Sequence, residues 1–197
     1  DTKVYHPMDQ GMARELLGLP LGKRLLLFGA LNVTDKRKGI DYLIEALRRM
    51  EKQDVELVVF GQVKDDIRGL FPVPIHSMGY LSDESKIVAL YNAVDMFITS
   101  SLEENLPNTI MESMACGTPC VGFEIGGIPE MIDHRVNGYV ANYKDAGDLA
   151  NGIQWVLEHE DRLALSDACV KKVQENYTEE VVAKQYTALY EKLLKGE

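Results

Sequence analysis

The chain has 197 residues, 46% of them hydrophobic, enough for one compact domain with an apolar core. No apolar run reaches the roughly 18 residues of a membrane span. The formal net charge of -10 excludes a broad nucleic-acid-binding face, which needs clustered lysine and arginine. A small anionic ligand needs only a local basic patch, and Lys36-Arg37-Lys38 is one. No secretory signal opens the chain, and Cys116, Cys120 and Cys169 form no Cys-x-x-Cys. The expectation is a cytoplasmic protein with reduced, buried thiols.

Elements follow in alternation. Asp9 to Leu17 reads as a short helix stopped by Gly18 and Pro20. Arg24 to Ala30 is an apolar run ending in small residues, a buried strand. Ile40 to Glu51 carries Leu43, Ile44, Leu47 and Met50 at helical spacing. Strands are predicted at Val55 to Phe60, Ile75 to Met78, Met96 to Thr99, Cys120 to Phe123 and Gly138 to Val140. Helices are predicted at Asp83 to Asn92, at Asn108 to Ala115 behind Pro107, and in a short turn after Gly126-Gly127. Three more helices, Ala146 to His159, Arg162 to Glu175 and Thr178 to Leu194, close the chain. The pattern predicts an α/β fold: one Rossmann-like, doubly wound parallel sheet over residues 1–197, with residues 1–20 as a lead-in and 162–197 as a helical tail.

In such sheets ligands bind beyond the carboxyl ends of the strands. Gly29, Gly79-Tyr80-Leu81 and Ser100-Ser101 fall at those ends, followed by Glu103-Glu104-Asn105-Leu106-Pro107. The helix starting near Asn108 offers free N–H groups and a positive dipole end, suited to phosphate. Each feature has a plainer reading: a glycine that only makes a turn, a basic run that is only solvated, a glutamate that only favours a helix start. Their convergence on one rim supports a ligand site. Glu112 lies among Ile110, Met111, Met114 and Ala115, so its carboxylate needs a partner. A hydroxyl-rich ligand is one candidate.

The run Glu104-Asn105-Leu106-Pro107-Asn108-Thr109-Ile110-Met111-Glu112 resembles the E-x7-E block of glycosyltransferase family 4. Lys38-Gly39-Ile40-Asp41-Tyr42-Leu43-Ile44-Glu45-Ala46-Leu47, Gly79-Tyr80-Leu81-Ser82-Asp83, Asn92-Ala93-Val94-Asp95, Gly126-Gly127-Ile128-Pro129-Glu130 and Asn137-Gly138 are similar to further blocks of that family, in order along nearly the whole chain. The resemblance implies the C-terminal, donor-binding half of a GT-B enzyme that retains anomeric configuration. It implies that Glu104 holds hydroxyls of the donor sugar, that Glu112 accepts from the ribose, and that Lys38 and Arg37 neutralise the diphosphate. The N–H groups of Asn108 and Thr109 would bind its oxygens, with Gly29 at the adjoining strand end. Tyr80 and Leu81 would frame the base near Lys86. The implied ligand is a UDP- or GDP-sugar, with no further cofactor. No metal is expected, since the chain contains no Asp-x-Asp. The implied partner is a preceding N-terminal acceptor domain, through which any contact with the inner membrane face would run. This half alone is expected to be inactive.

The chain departs from the family where Gly29-Ala30 replaces a common Gly-Arg, Asn105-Leu106 replaces Gly-Phe, and Pro107 replaces glycine. Another enzyme on the same fold, such as an epimerase, lacks support from the flanks of Glu104 and Glu112. A phosphoacceptor receiver domain would need acidic residues after the first strand, where Phe28-Gly29-Ala30 has none. A non-catalytic nucleotide-binding or scaffolding module remains the alternative.

Overall fold

The computed structural model describes residues 1–32, 35–50, 54–62 and 68–195. Its strands are β1 (Arg24–Asn32), β2 (Val55–Gln62), β3 (Ile75–Gly79), β4 (Met96–Thr99), β5 (Cys120–Phe123) and β6 (Gly138–Ala141). They form one parallel sheet in the order β3-β2-β1-β4-β5-β6. The helices are α1 (Gln10–Leu17), α2 (Ile40–Arg49), α3 (Glu84–Ala93), α4 (Asn108–Ala115), α5 (Ile128–Met131), α6 (Ala146–Leu157), α7 (Arg162–Asn176) and α8 (Glu179–Lys195). The order reverses between β1 and β4, which makes their carboxyl ends the switch point of a doubly wound fold.

Burial on both faces explains the unbroken apolar run of β1. Leu26 and Phe28 pack with Leu43 and Leu47 of α2 and Leu149 and Ile153 of α6. Leu25 and Leu27 pack on the other side, with Ala13, Leu90, Ile110, Met114 and Cys169 of α1, α3, α4 and α7. A sheet buried on both faces leaves no place for alternating polar residues. Cys116, Cys120 and Cys169 are free and buried, as expected. α8 differs from the rest, since it buries no residue and exposes Tyr186, Leu189, Tyr190 and Leu193. No described helix is long and apolar enough to cross a membrane.

Local chemistry sets the boundaries. Asp9, Asp83, Asp145 and Asp161 each accept a hydrogen bond from a first-turn amide of the helix that follows. α1 stops where Gly18 turns left-handed, at φ 65°. β1 runs further than expected, to Asn32, because after a register shift past Gly29 the strand pairs with β2 once more, Asn32 opposite Gln62. The predicted end of α2 at Glu51 lies outside the described residues, and the helix ends at Arg49, where Met50 becomes extended.

The amino ends of β1 and β4 are tied by one buried carboxylate. Asp95, 3% exposed at its side chain, accepts from the Leu25 amide at 2.7 Å and from Arg14 at 3.0 Å on one oxygen. Its other oxygen accepts from Arg162 at 2.6 Å and Arg24 at 3.3 Å. Burial pushes the Asp95 carboxyl upward, while the Leu25 amide and the guanidinium groups of Arg14 and Arg24 pull it back. The carboxylate thereby joins α1, β1, β4 and α7. Removing it leaves buried guanidinium charge uncompensated. Asp95→Asn is expected to lower the unfolding free energy by about 3–5 kcal/mol, measured by urea denaturation.

Candidate functional site

The loops that leave β1 and β4 are packed against each other with no slack. Asp35 caps a 3-10 turn at Lys36–Lys38, and Gly39 follows at φ 63°. A Cβ on Gly39 would sit 1.9 Å from the Ser100 carbonyl oxygen, so no other residue fits there. Ser100 Oγ donates to the Lys38 carbonyl at 2.9 Å, and the Leu102 amide donates to the Arg37 carbonyl at 2.7 Å. These contacts place Lys38 Nζ 2.6 Å from Glu104 Oε1, across 66 residues of sequence. The Glu104 side chain is 14% exposed and that of Lys38 32%.

The turn between β5 and α5 supports the Glu104 loop from behind. A Cβ on Gly126 would lie 2.1 Å from the Glu104 carbonyl oxygen, and one on Gly127 would lie 2.7 Å from that of Asn105. The Gly127 amide donates to the Asn105 carbonyl at 2.5 Å. The Gly126-Gly127 pair thus does more than open a turn, because it lets the acidic loop settle onto the sheet.

α4 begins directly after this loop. Its N-cap is Pro107, which supplies no side-chain hydrogen bond, unlike the aspartate caps of α1, α3, α6 and α7. The amides of Asn108 and Thr109 open the helix, where first-turn N–H groups lack intrahelical acceptors. One turn further on, Glu112 lines a cavity of about 220 Å³ with Asn108, Met111, Tyr5 and Tyr177. Its Oε2 accepts from the Tyr91 hydroxyl at 3.0 Å. Burial pushes the Glu112 carboxyl above its ordinary range; the Tyr91 hydrogen bond pulls it down and the Glu84 charge pushes it up again. Burial also raises Tyr91 well above an ordinary phenol, with Glu112 adding to the rise, and carries Tyr5 up to about 12.

The other expected residues are placed as follows. Arg37 is clamped by Asp35, with its Nη2 at 2.7 Å from one carboxylate oxygen, and this holds the Asp35 carboxyl down at about 2. Tyr80 is 62% exposed at the end of β3, Leu81 is half-buried, and Lys86 is exposed in the first turns of α3. Gly29 lies under Phe60, whose ring a Cβ there would meet at 1.9 Å. The missing side chain at that position makes room for an aromatic ring. A tyrosine on an apolar helix looks like core, so the sequence points to Tyr91 only through the need of Glu112 for a partner. Among the described residues no group of three His, Cys, Asp or Glu side chains converges to hold a metal ion.

A parallel sheet of this order, with a lysine, a half-buried glutamate and a helix start without a side-chain cap gathered at its switch point, defines a Rossmann-like architecture. The chain matches the family described as glycosyl transferases group 1 over residues 22–159, and it belongs to that family. It is 24% identical over 203 residues to N-acetyl-alpha-D-glucosaminyl L-malate synthase of Bacillus anthracis, covering 100% of this chain and 53% of that protein. It is 30% identical over 216 residues to spore coat protein SA of Bacillus subtilis, covering 98% of this chain and 56% of that one. The chain therefore spans about half the length of the curated relatives it matches. Among solved structures, it superposes with a TM-score of 0.75 on the C-terminal domain of a group 1 glycosyl transferase, LpcC of Francisella tularensis, at 21% identity, covering 91% of this chain and 98% of that one. It superposes on Anabaena HepE, solved in complex with UDP, with a TM-score of 0.82 at 21% identity, covering 97% of this chain and 55% of that one. The fold is that of the C-terminal half of a GT-B glycosyltransferase.

The raised Glu112 carboxyl has a signed consequence for stability. A carboxyl whose folded pKa lies above its unfolded value stabilises the fold when protonated, and that stability is lost as pH rises through the folded pKa. Glu112→Gln removes the loss. The melting temperature of wild type minus that of Glu112→Gln is expected to fall between pH 4 and pH 7, measured by scanning calorimetry at matched salt. A difference independent of pH would mean that burial does not perturb this carboxyl.

Proposed function

We infer that this chain is the donor-binding half of a retaining glycosyltransferase that moves a sugar from a nucleoside-diphosphate sugar to a glycan or lipid-linked acceptor. The observation that carries the reading is the Lys38–Glu104 pair at the switch point, 2.6 Å apart beside the uncapped start of α4. With donor bound, diphosphate oxygens take the Lys38 ammonium and the Asn108 and Thr109 amides, while sugar hydroxyls take the Glu104 carboxylate. The two charges that pair with each other each gain a ligand partner. Glu112 accepts from ribose hydroxyls, Tyr80 and Leu81 frame the base, and Lys86 stands near it. Arg37 and Gly29 complete the proposed surroundings of the diphosphate.

Departure of the nucleoside diphosphate builds negative charge on the leaving phosphate oxygen. A fixed ammonium and helix-start N–H groups stabilise that charge most at the transition state. We read the step as independent of a metal ion, because the chain has no Asp-x-Asp to hold one. Relatives about twice as long, and a neighbour solved with UDP, support a UDP- or GDP-sugar donor and a second, acceptor-binding half. In this reading the enzyme works in the cytoplasm, meets the inner membrane face through that other half, and shows no transfer from this half alone.

Titration of UDP, GDP and ADP by calorimetry tests the reading. One nucleotide is expected to bind saturably. Lys38→Ala is expected to weaken it about tenfold or more, the worth of a charge-assisted hydrogen bond of roughly 1.5–3 kcal/mol. Glu112→Ala weakens it as well. Folded protein that binds none of the three at millimolar concentration would favour a scaffolding module instead.

A further inference from the structure

We propose that Tyr91 is a positioning residue for the ribose-binding carboxylate: its hydroxyl holds one oxygen of Glu112 so that the other is presented to the ribose. This rests on the donor-site reading above. The hydroxyl lies 3.0 Å from Glu112 Oε2, and the phenol ring is 1% exposed, so it has no water to turn to. Three rings fix its aim. Phe60 and Phe97 meet it edge-on, with centroids 6.3 and 6.1 Å away, and Tyr5 lies 6.4 Å away at a tilt. Phe60 is held in turn over the bare Cα of Gly29. A chain of contacts thus runs from Gly29, three residues before β1 ends, through Phe60 and Tyr91 to Glu112.

The chemistry favours this division of labour. An ionised carboxylate has about four acceptor positions, and the Tyr91 hydrogen bond uses one of them. A glutamate side chain that is free to rotate loses conformational entropy when it grips a ligand. Here Tyr91 has already restricted it, and Glu112 still lines the cavity beside Asn108. A hydroxyl donor also favours the ionised carboxylate, the form that accepts from two ribose hydroxyls.

The test titrates UDP, GDP and ADP, each beside its 2′,3′-dideoxy counterpart, into wild type, Tyr91→Phe and Glu112→Ala. Tyr91→Phe is expected to weaken the bound ribonucleotide about tenfold and to leave its dideoxy counterpart unchanged. The pH below which ribonucleotide binding is lost should move upward in Tyr91→Phe, since Glu112 loses a hydrogen bond to its charged form. The other groups around Glu112 (Glu84 on α3, Asp1 and Tyr5 in the lead-in, Cys116 after α4, and Tyr177 after α7) are the same in both proteins. A purely structural tyrosine would lower stability, affect both ligands equally and leave the pH profile in place, and that result overturns the proposal. If Glu112→Ala shows ribose-dependent loss and Tyr91→Phe none, positioning by Tyr91 is wrong and the donor site stands. If Glu112→Ala shows no ribose-dependent loss, the donor-site reading itself fails. Should Tyr91→Phe not fold, 3-fluorotyrosine at position 91, a near-isosteric and stronger donor, is expected to shift the pH profile downward; an unmoved profile overturns the proposal.

Discussion

The Asp95 carboxylate is the constraint on which the rest of this structure depends. It sits below the switch point, where β1 and β4 begin, and it joins the Leu25 amide to guanidinium groups from α1, β1 and α7. With that knot in place, Leu26, Leu27 and Phe28 pair in register with Met96, Phe97 and Ile98. Register decides the height at which each strand ends. The strand ends decide where the Lys38 loop and the Glu104 loop leave the sheet, so a carboxylate at the bottom of the sheet governs a lysine–glutamate pair at its top.

At that top the geometry comes from close approach more than from side-chain packing. Gly39 against Ser100, Gly126 against Glu104 and Gly127 against Asn105 are all contacts that a Cβ would break. Backbone pressed on backbone leaves a loop few alternative positions, so the main chain that carries Lys38 and Glu104 is fixed. The absence of a side-chain cap on α4 belongs to the same arrangement. A carboxylate at position 107 would satisfy the amides of the first turn and place negative charge at the proposed phosphate site.

Most of the fold was legible because period and punctuation act locally. Met96–Thr99, Asn108–Ala115 and Cys120–Phe123 match their predicted limits, since each is a short apolar segment between turn residues. The end of β1 was harder to see, because Gly29 and Ala30 look like a stop and only the pairing with β2 carries the strand past them. In the site, Lys38 and Glu104 could be picked out by residue type and position at strand ends. Three other features were hidden because they depend on contacts distant in sequence or on a choice between partners. Glu112 finds a protein partner on another helix, Tyr91. Gly29 admits the Phe60 ring. Arg37 is held by its own neighbour Asp35, so its charge is partly used before any ligand arrives.

The buried thiols give the molecule an internal clock. Cys169 Sγ donates to the Asn137 carbonyl at 3.0 Å beneath α7, and burial holds Cys116 and Cys120 up at about 12. A thiol in that condition forms almost no thiolate near neutrality and does not meet reagents dissolved in water. Its modification therefore waits on opening of the surrounding structure, and the rate of alkylation at Cys169 reports how often α7 lifts from α4 and from Asn137. The same helix carries Arg162 to Asp95, so that rate also measures how often the knot beneath the switch point loses its contact with α7.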